Sequence, residues 1–349
     1  MQLEEFLASR PRVPLGTLPT PLDACPRLSE AIGGAPIAIK RDDLSGFALG
    51  GNKVRMLEFA LGEAVAVGAD CLLTGADVQS NQCRAVAAGA ARLGMECHLV
   101  VSRGPHPEMQ GNLLLQHVFG AHVRVVEPPA IGDKTLVDVQ GVLDEVEAAL
   151  RATGKRPFRI TGQRIEHALK GMVGYMTGAV ELAAQLRALP AAPSAMVICA
   201  GSGTTMAGLV CGLKALGGGV LRQRVIGVTI SNPAAAVRER ILALSHMAAE
   251  TYGLDCVLEP DEVDVRDGFV GPGYGLPSEE GLAALALVAR TEGILLDPIY
   301  TSKTAAALFH LIRSGELPPD RPVVMVHTGG IPGVFAYHQE VAAALPPVA

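Results

Sequence analysis

The chain has 349 residues, of which 49% are hydrophobic and 4% aromatic, and this length and composition suit a folded α/β protein and exclude a disordered one. A net charge of −6 without a basic run excludes the usual electrostatic footprint of a nucleic-acid-binding protein, so a small-molecule ligand is expected. The longest charge-free segment, between Arg187 and Lys214, contains Pro190 and Pro193, so no membrane span is expected.

Short apolar runs alternate along the chain with longer segments of helix-forming composition. This alternation predicts an α/β fold of two domains, each an open, mostly parallel twisted sheet flanked by helices. Glycine clusters near residue 50 and within residues 159–171 predict a larger domain of residues 1–49 and 166–349 and a smaller one of residues 50–165. The predicted helices include residues 53–67, 81–93 and 204–216, and the predicted strands cover residues 37–40, 71–74, 98–101, 123–126, 196–199, 225–230 and 323–326.

A pair of glycines precedes the first of these helices. The sequence Gly50-Gly51-Asn52-Lys53 places a lysine at the start of a mostly apolar helix, where part of its surface would be buried. Most lysines are solvated surface charges. Burial, however, lowers the proton affinity of an amine and makes it nucleophilic towards an aldehyde, so this position favours Lys53 as the attachment point of an aldehyde cofactor.

Ser80 stands at the expected N-cap of the next helix, with Asn81 and Gln82 in the first turn. Serine is a common N-cap, so a structural role alone would explain it. The free N–H groups of the same turn could also bind a substrate carboxylate, while Asn81 bonds a ring oxygen. The two roles are compatible.

A glycine-rich segment, Gly201-Ser202-Gly203-Thr204-Thr205, follows an apolar run and opens a helix. Free N–H groups, glycines and hydroxyls at a helix start suit a phosphate, although a plain turn between strand and helix is the alternative. No lysine completes a nucleoside triphosphate loop, and the next strand ends in Ser231-Asn232 rather than the acidic residue of a dinucleotide fold. A phosphate without a ribose fits best.

Two of the five tyrosines, Tyr274 and Tyr300, lie in segments bounded by glycine or proline. Such loop positions favour a role in a site over packing in a core.

The seven cysteines lie mostly within apolar runs, and none forms a C-x-x-C pair. They are expected to be reduced core thiols rather than disulfides or metal ligands. Residues 1–5 lack the basic and apolar blocks of a signal peptide, so a cytoplasmic location is expected.

Taken together, these motifs resemble the fold type II pyridoxal-phosphate enzymes, in particular the family of 1-aminocyclopropane-1-carboxylate (ACC) deaminase and D-cysteine desulfhydrase. The match covers nearly the whole chain, and its motifs occur in the family's order. They are Pro19-Thr20-Pro21 with Leu28, Lys40-Arg41-Asp42-Asp43-Leu44, Gly50-Gly51-Asn52-Lys53, Gln79-Ser80-Asn81-Gln82, Gly201-Ser202-Gly203-Thr204-Thr205, Gly271-Pro272-Gly273-Tyr274-Gly275-Leu276-Pro277 and Asp297-Pro298-Ile299-Tyr300.

The resemblance implies pyridoxal 5′-phosphate as the cofactor, a small amino acid as the substrate and a homodimer as the assembly. It implies that Lys53 bonds the cofactor's aldehyde, that Asn81 contacts its ring hydroxyl and that residues 201–205 cradle its phosphate. The larger domain would then bind the cofactor, and the smaller domain would carry Lys53 and the loop that binds the substrate carboxylate.

The resemblance also implies the residues on the substrate side. Ser80, with the N–H groups after it, would hold the substrate carboxylate beside Asn81 and Gln82, and Tyr274 and Tyr300 would line the substrate face. The substrate Cα would lose its proton to Lys53 or to the side of Ser80 and Tyr300.

Thr301 helps to distinguish the ACC deaminases from the D-cysteine desulfhydrases within this family. The ACC deaminases carry a glutamate after the matching tyrosine, which can keep the pyridine nitrogen protonated, whereas the hydroxyl of Thr301 carries no charge. Thr301 and the run 326–330 therefore favour β-elimination to a 2-oxo acid and ammonia, as in D-cysteine desulfhydrase. Gln82 is the residue of the ACC deaminases, so ACC deamination stays an alternative.

The chain departs from the family pattern in three places. Val54 replaces a usual threonine, Met56 replaces a usual lysine near the phosphate, and residues 161–167 replace a stretch of small residues beside the substrate. Gln163 and Arg164 of that stretch are predicted to bind substrate, with Arg164 or His167 reading a distal acidic or polar group, as in an L-cysteate sulfo-lyase.

A protein of the same fold that binds a cofactor or metabolite without turnover is the alternative class. A pure binder has no need of the reactive lysine that Lys53 would supply, so an enzyme is favoured.

Overall fold

The computed structural model describes residues 2–127, 138–161, 164–217 and 224–345. It confirms the predicted fold class, because ten strands form two mostly parallel sheets that are flanked by helices. The strands are β1 Leu22–Ala24, β2 Ile37–Arg41, β3 Cys71–Asp77, β4 Glu96–Ser102, β5 His122–Val126, β6 Pro157–Arg159, β7 Ala195–Cys199, β8 Arg224–Val228, β9 Asp264–Arg266 and β10 Val323–His327.

Thirteen α-helices cover the described segments, and none of these is both long and apolar enough to cross a membrane. They are α1 Leu3–Ser9, α2 Pro26–Ile32, α3 Asn52–Ala66, α4 Asn81–Leu93, α5 Gly111–Val118, α6 Val139–Ala152, α7 Ile165–Leu186, α8 Thr204–Ala215, α9 Ala234–Tyr252, α10 Glu279–Glu292, α11 Thr301–Arg313, α12 Pro332–Ala336 and α13 His338–Ala343.

The larger sheet has six strands in the order β1-β2-β10-β7-β8-β9, and the smaller has four in the order β5-β4-β3-β6. All neighbours pair in parallel except β1 with β2. The strands of the smaller sheet all lie between residues 71 and 159. This is consistent with the two predicted domains, whose boundaries stay a prediction.

All seven predicted strands are confirmed, although β8 ends at Val228 rather than at residue 230. The described strands that the sequence pattern did not reveal are β1, β6 and β9, each three residues long. Three residues are too few to show the period of two that identifies a strand.

The hydrophobic core lies on both faces of each sheet, because successive side chains of a strand point to opposite faces. Met196 and Ile198 of β7 pack with α7, α8 and α9, whereas Val197 packs with α10 and α11 on the other face. In the smaller sheet, Leu72 packs with α3 and α4, and Leu73 packs with α6.

A buried ion cluster ties α3 to the larger sheet. Arg55, in the first turn of α3, donates to Asp42 directly after β2, at 3.0 Å from Nε to Oδ2 and 2.8 Å from Nη2 to Oδ1. The same guanidinium donates to Glu181 of α7 at 3.0 and 2.9 Å. Burial alone would raise the pKa of Asp42, but the charge and hydrogen bonds of Arg55 outweigh it and hold this pKa below its ordinary value.

Two further side chains complete the cluster. Lys40 of β2 forms an ion pair with Glu181, and the Tyr175 hydroxyl of α7 donates to Asp42 Oδ2 at 2.8 Å. Buried charges are tolerated only when they are paired and hydrogen-bonded in this way. The cluster therefore fixes β2, α3 and α7 relative to one another.

Replacing Arg55 by methionine should lower the free energy of unfolding by about 3–5 kcal/mol, because it leaves Asp42 and Glu181 buried with less positive charge. Denaturant unfolding followed by circular dichroism measures this change. Arg164→Met is the matched control, since Arg164 pairs with Asp144 at 2.8 Å where both side chains are largely exposed. Its cost should stay within about 1 kcal/mol. Equal losses in the free energy of unfolding for the two substitutions would show that the buried cluster stabilises the fold no more than the outer ion pair does.

Candidate active site

Lys53 follows two glycines whose backbone is left-handed, with φ of +66° at Gly50 and +105° at Gly51. A Cβ atom on Gly51 would lie 2.9 Å from the Thr328 carbonyl oxygen, so glycine is needed for this close approach. The Asn52 N–H then donates to the same carbonyl at 3.0 Å. These contacts place the start of α3 against the end of β10.

A cavity of about 1100 Å³, called here the main cavity, lies where the carboxyl ends of strands from both sheets meet. This edge is the usual ligand site of open α/β sheets. Burial lowers the pKa of the Lys53 amine, and the neighbouring Cys199 acts in the opposite direction. The predicted site residues that line the main cavity are Lys53, Ser80, Asn81, Gln82, Gly201, Ser202, Gly203, Thr205, Tyr274 and Tyr300.

Ser80 is the N-cap of α4, as predicted, and its Oγ accepts from the N–H groups of Gln82 and Cys83, both at 3.2 Å. In the described part of the chain, the Ser80 hydroxyl hydrogen and the Asn81 N–H remain as donors of this turn. The Gln82 side-chain nitrogen donates to Thr74 Oγ1 at 3.1 Å, which leaves its amide oxygen as the acceptor that lines the cavity.

The Asn81 side chain is held from behind. Its Oδ1 accepts from Asn112 Nδ2 at 3.0 Å and from Arg84 Nη1 at 3.3 Å. Arg84 is buried and also donates to the Gly50 carbonyl at 3.0 Å. Because the oxygen of the Asn81 amide is fixed in this way, its nitrogen is the donor available to a group in the cavity.

The glycine-rich segment after β7 forms a cradle at the start of α8. Gly203 is the N-cap with φ of +79°, and no side chain caps the helix. Ser202 Oγ lies 3.2 Å from Oγ1 of the buried Thr204, and Thr205 Oγ1 accepts from Asn52 Nδ2 at 2.8 Å. The uncapped N–H groups and the hydroxyls form a donor set for an anion.

The hydroxyls of Tyr274 and Tyr300 lie 3.0 Å apart on the wall of the main cavity. Tyr274 is half-exposed along the cavity, yet burial around its hydroxyl raises its pKa to about 12. Burial raises the pKa of Tyr300 well above its ordinary value. Both hydroxyls are therefore protonated donors at neutral pH.

The structure does not bring Thr301 to the main cavity. Its hydroxyl is buried and donates to Asp297 Oδ1 at 2.7 Å, and the same carboxylate accepts from the N–H groups of Ile299 and Tyr300. Thr301 thus helps Asp297 to fix Tyr300. Thr328, after β10, lines the cavity instead.

Residues 164 and 167 also lie away from the main cavity. Arg164 lines an outer groove and is paired with Asp144, and His167 Nδ1 lies 3.0 Å from the Arg159 carbonyl beside a smaller neighbouring cavity. Gln163 lies outside the described residues. Among the described members of this stretch, Thr161 lines the main cavity.

Comparison with known proteins identifies the chemistry of this site. Residues 13–329 match the family described as pyridoxal-phosphate dependent enzyme. The chain belongs to this family. It is 38% identical to the D-cysteine desulfhydrase of Klebsiella pneumoniae, over 94% of this chain and 96% of the relative. It is also 38% identical to that of Yersinia enterocolitica, over 98% and 100%.

Solved structures of pyridoxal-phosphate enzymes share the fold. An ACC deaminase homologue is 32% identical and superposes with a TM-score of 0.85 over 99% of both chains. Diaminopropionate ammonia lyase of Escherichia coli, at 15% identity and a TM-score of 0.67, shares the fold alone.

The site residues fit pyridoxal phosphate. The main cavity contains an amine of lowered pKa at Lys53, an uncapped helix start at Gly203 and the amide of Asn81. A Cβ atom on Gly203 would lie 3.0 Å from Ile241 Cγ1 of α9, and φ there is +79°, so glycine is favoured at this helix start. Met56, in the place of a cation expected near the phosphate, lies with Sδ 3.9 Å from Lys53 Nζ.

The sequence pattern missed one residue that lines the main cavity and two that support its walls. Asp77 lines the main cavity, Arg84 supports Asn81, and Lys303 donates to the carbonyl of Val270 at 2.7 Å in the segment before Tyr274. Asp77 follows β3, and side chains at the carboxyl ends of parallel strands are candidates for a site. That position could have revealed Asp77, whereas the contacts of Arg84 and Lys303 are set by the tertiary fold.

In the apoprotein, Lys53 should react with an amine-acylating reagent at lower pH than an ordinary lysine, because burial lowers its pKa and it loses its proton earlier. Labelling from about pH 7 to about pH 11, with mass spectrometry of the peptides, measures each midpoint. Lys155 is the internal control, since its hydrogen bond to Glu96 raises its pKa. A midpoint for Lys53 at or above that of Lys155 would contradict the burial argument.

Proposed function

We propose that this pyridoxal-phosphate-dependent enzyme is a lyase that eliminates the β-substituent of a small amino acid, with D-cysteine as the first candidate. One observation carries the proposal: a single cavity holds Lys53, the Ser80 turn, the anion cradle and the tyrosine pair. The relatives that are 38% identical over at least 94% of the chain are D-cysteine desulfhydrases, which supports the choice of substrate.

The overall reaction balances without a redox partner. D-cysteine and one water give pyruvate, hydrogen sulfide and ammonia. The Cα–H and Cβ–S bonds break and leave 2-aminoacrylate. This product takes up a proton at Cβ to become an imine, which water hydrolyses to pyruvate and ammonia. The bound cofactor supplies the electron-accepting ring that makes the Cα proton acidic.

Lys53 would hold the cofactor through its aldehyde and would move the Cα proton. Burial lowers the pKa of its Nζ, which favours the neutral amine that both roles require. The ion cluster at Arg55, two residues along α3, keeps this amine at the cavity wall.

The Ser80 turn binds the substrate carboxylate in this scheme. The Ser80 hydroxyl, the Asn81 N–H and the positive end of α4 supply donors to an anion. The Asn81 side-chain nitrogen would donate to an oxygen of the cofactor, and the oxygen of Gln82 would accept from a substrate donor.

Tyr300 and Tyr274 act on the leaving-group side. Their pKa values are raised, so each keeps its proton at neutral pH and can donate a hydrogen bond to a departing thiolate. The two hydroxyl oxygens lie 3.0 Å apart, so both can act on the same group.

The cofactor-loaded protein should be yellow and should produce pyruvate, sulfide and ammonia from D-cysteine. A panel of D-cysteine, L-cysteine, 3-chloroalanine, L-cysteate and ACC, with 2-oxo acid, sulfide and sulfite as readouts, tests this expectation. Lys53→Ala should lose the visible band and lower kcat/KM by roughly three orders of magnitude or more. Arg164→Ala, which changes an ion-paired residue of the outer groove, should leave kcat/KM unchanged. If neither D-cysteine nor L-cysteine gave pyruvate, the proposal would be refuted.

ACC deamination is the second candidate. Gln82 lines the main cavity, and the ACC deaminase homologue superposes over nearly the whole chain. Formation of 2-oxobutyrate from ACC, with no turnover of cysteine, would favour this activity. An L-cysteate sulfo-lyase activity would instead release sulfite. Visible-band changes on adding amino acids, without any product, would indicate a binding protein.

We further propose a homodimer in the cytoplasm. Phe335 of α12 and Leu114 and Val118 of α5 are exposed apolar residues on two helices that pack together, which supports a subunit interface. The seven cysteines are all free and buried, which is consistent with a reducing compartment.

Phe335→Glu should convert a dimer to a monomer in light scattering at micromolar concentration, because it places a charge in the proposed interface. Val67→Glu is the matched control, since both residues are 66% exposed but Val67 lies at the end of α3. A dimer that survives Phe335→Glu, or a wild-type monomer, would contradict the proposed interface or assembly.

A further inference from the structure

Asp77 is an acidic residue of the main cavity to which the proposed mechanism gives no role. It is the last residue of β3, and its carbonyl oxygen accepts from the Ser80 N–H at 2.9 Å. It lines the main cavity, and also a small adjoining cavity together with Asn81, Tyr274 and Tyr300. The carboxylate therefore lies beside the turn proposed to bind the substrate carboxylate.

The two oxygens of Asp77 differ in their surroundings. Oδ1 accepts from the Gln79 N–H at 2.8 Å, which closes the turn before Ser80. Within the described part of the chain, Oδ2 accepts no hydrogen bond and Asp77 forms no ion pair. A side chain at residue 104 would overlap Oδ2, so Gly104 leaves room for this oxygen. The hydrogen bond that closes the turn accounts for Oδ1 but gives no role to Oδ2.

The charge of Asp77 acts on the substrate side of the cavity. Burial raises its pKa, whereas the hydrogen bond from the Gln79 N–H and the nearby His106 act in the opposite direction. After burial, the negative charge of Asp77 is the largest cause that raises the pKa of Tyr274. It also raises the pKa of Tyr300, where burial, Tyr274 and Asp297 contribute more. A group placed next to those hydroxyls therefore experiences the same negative field.

Other charged residues of the described lining do not cancel this field. Arg103 is half-exposed and pairs with Glu127 at 3.0 Å. Asp138 is exposed and accepts from the Gly141 N–H at 2.8 Å as the N-cap of α6. Lys53 is engaged by the cofactor in the proposed function.

We propose that Asp77 determines which side-chain charge the enzyme accepts: it excludes amino acids with anionic β-substituents and admits neutral or cationic ones. This inference rests on the proposed function, because it assumes that the main cavity binds an amino acid. A neutral thiol satisfies the requirement, whereas the sulfonate of cysteate would approach a carboxylate that forms no ion pair within the described residues.

Asp77→Asn is the informative variant, since an asparagine oxygen can still accept from the Gln79 N–H while the charge is removed. The cofactor-loaded protein is titrated with alanine, aspartate and 2,4-diaminobutyrate, each as both enantiomers, and the visible absorption change gives a Kd. This binding readout needs no elimination.

Wild type should bind aspartate about tenfold or more weakly than alanine, and Asp77→Asn should remove most of that difference while diaminobutyrate binds more weakly. The three ligands share the same α-carboxylate and α-amine, so any effect of Asp77 on these groups cancels in the aspartate-to-alanine ratio of Kd values. Asp138→Asn is the charge-matched control and should leave the aspartate-to-alanine ratio unchanged.

An unchanged ratio in Asp77→Asn, or an equal shift in Asp138→Asn, would overturn the assignment. Equal weakening of all three ligands would also overturn it and would show that Asp77 only shapes the turn. A shifted ratio with no elimination from cysteine would refute the proposed reaction and leave the charge rule intact. Elimination from cysteine with an unchanged aspartate-to-alanine ratio in Asp77→Asn would support the proposed reaction and refute the charge rule.

Discussion

The position of Lys53 depends on a buried ion cluster, none of whose members lines the main cavity. Arg55 of α3 is held by Asp42 at the end of one strand and by Glu181 of α7, so the first turn of α3 is bound to the larger sheet. Burying such a cluster costs desolvation energy that apolar packing would not, and its main effect is to specify geometry. Lys53 lies two residues earlier, and the orientation of its helix is thereby fixed.

A second buried arginine links the two halves of the site by different means. Arg84 donates to the Gly50 carbonyl and to the Asn81 side chain, so the turn before Lys53 and the turn after Ser80 share one guanidinium. Its partners are carbonyl and amide oxygens rather than carboxylates, and burial lowers its pKa to about 10. The two segments are 27 residues apart between Lys53 and Ser80, yet they form one connected unit.

The sequence predicts the parts of this site that depend on local rules. A glycine pair before a helix, a serine at an N-cap and a glycine-rich turn each have a local physical cause, and the structure brings all three to the main cavity. The sequence does not predict which hydrogen-bond or ion-pair partner a polar side chain finds in the folded protein. The hydroxyl of Thr301 is taken by Asp297 and the guanidinium of Arg164 by Asp144, so neither reaches the cavity. The three-residue strands were not predicted for a related reason, because their pairing is set by the neighbouring strands of the sheet.

Burial shifts the proton affinities of the acid and the base of this site in opposite directions. It lowers the pKa of Lys53 towards the neutral amine and raises the pKa of Tyr274 and Tyr300 so that both keep their protons. The shift at Lys53 favours a neutral amine that can take a proton, and the shifts at the tyrosines keep both hydroxyls as hydrogen-bond donors. A buried site has a low effective dielectric constant, which strengthens the interaction between any two charges in it. A single carboxylate such as Asp77 therefore has a large effect on which ligands can bind there.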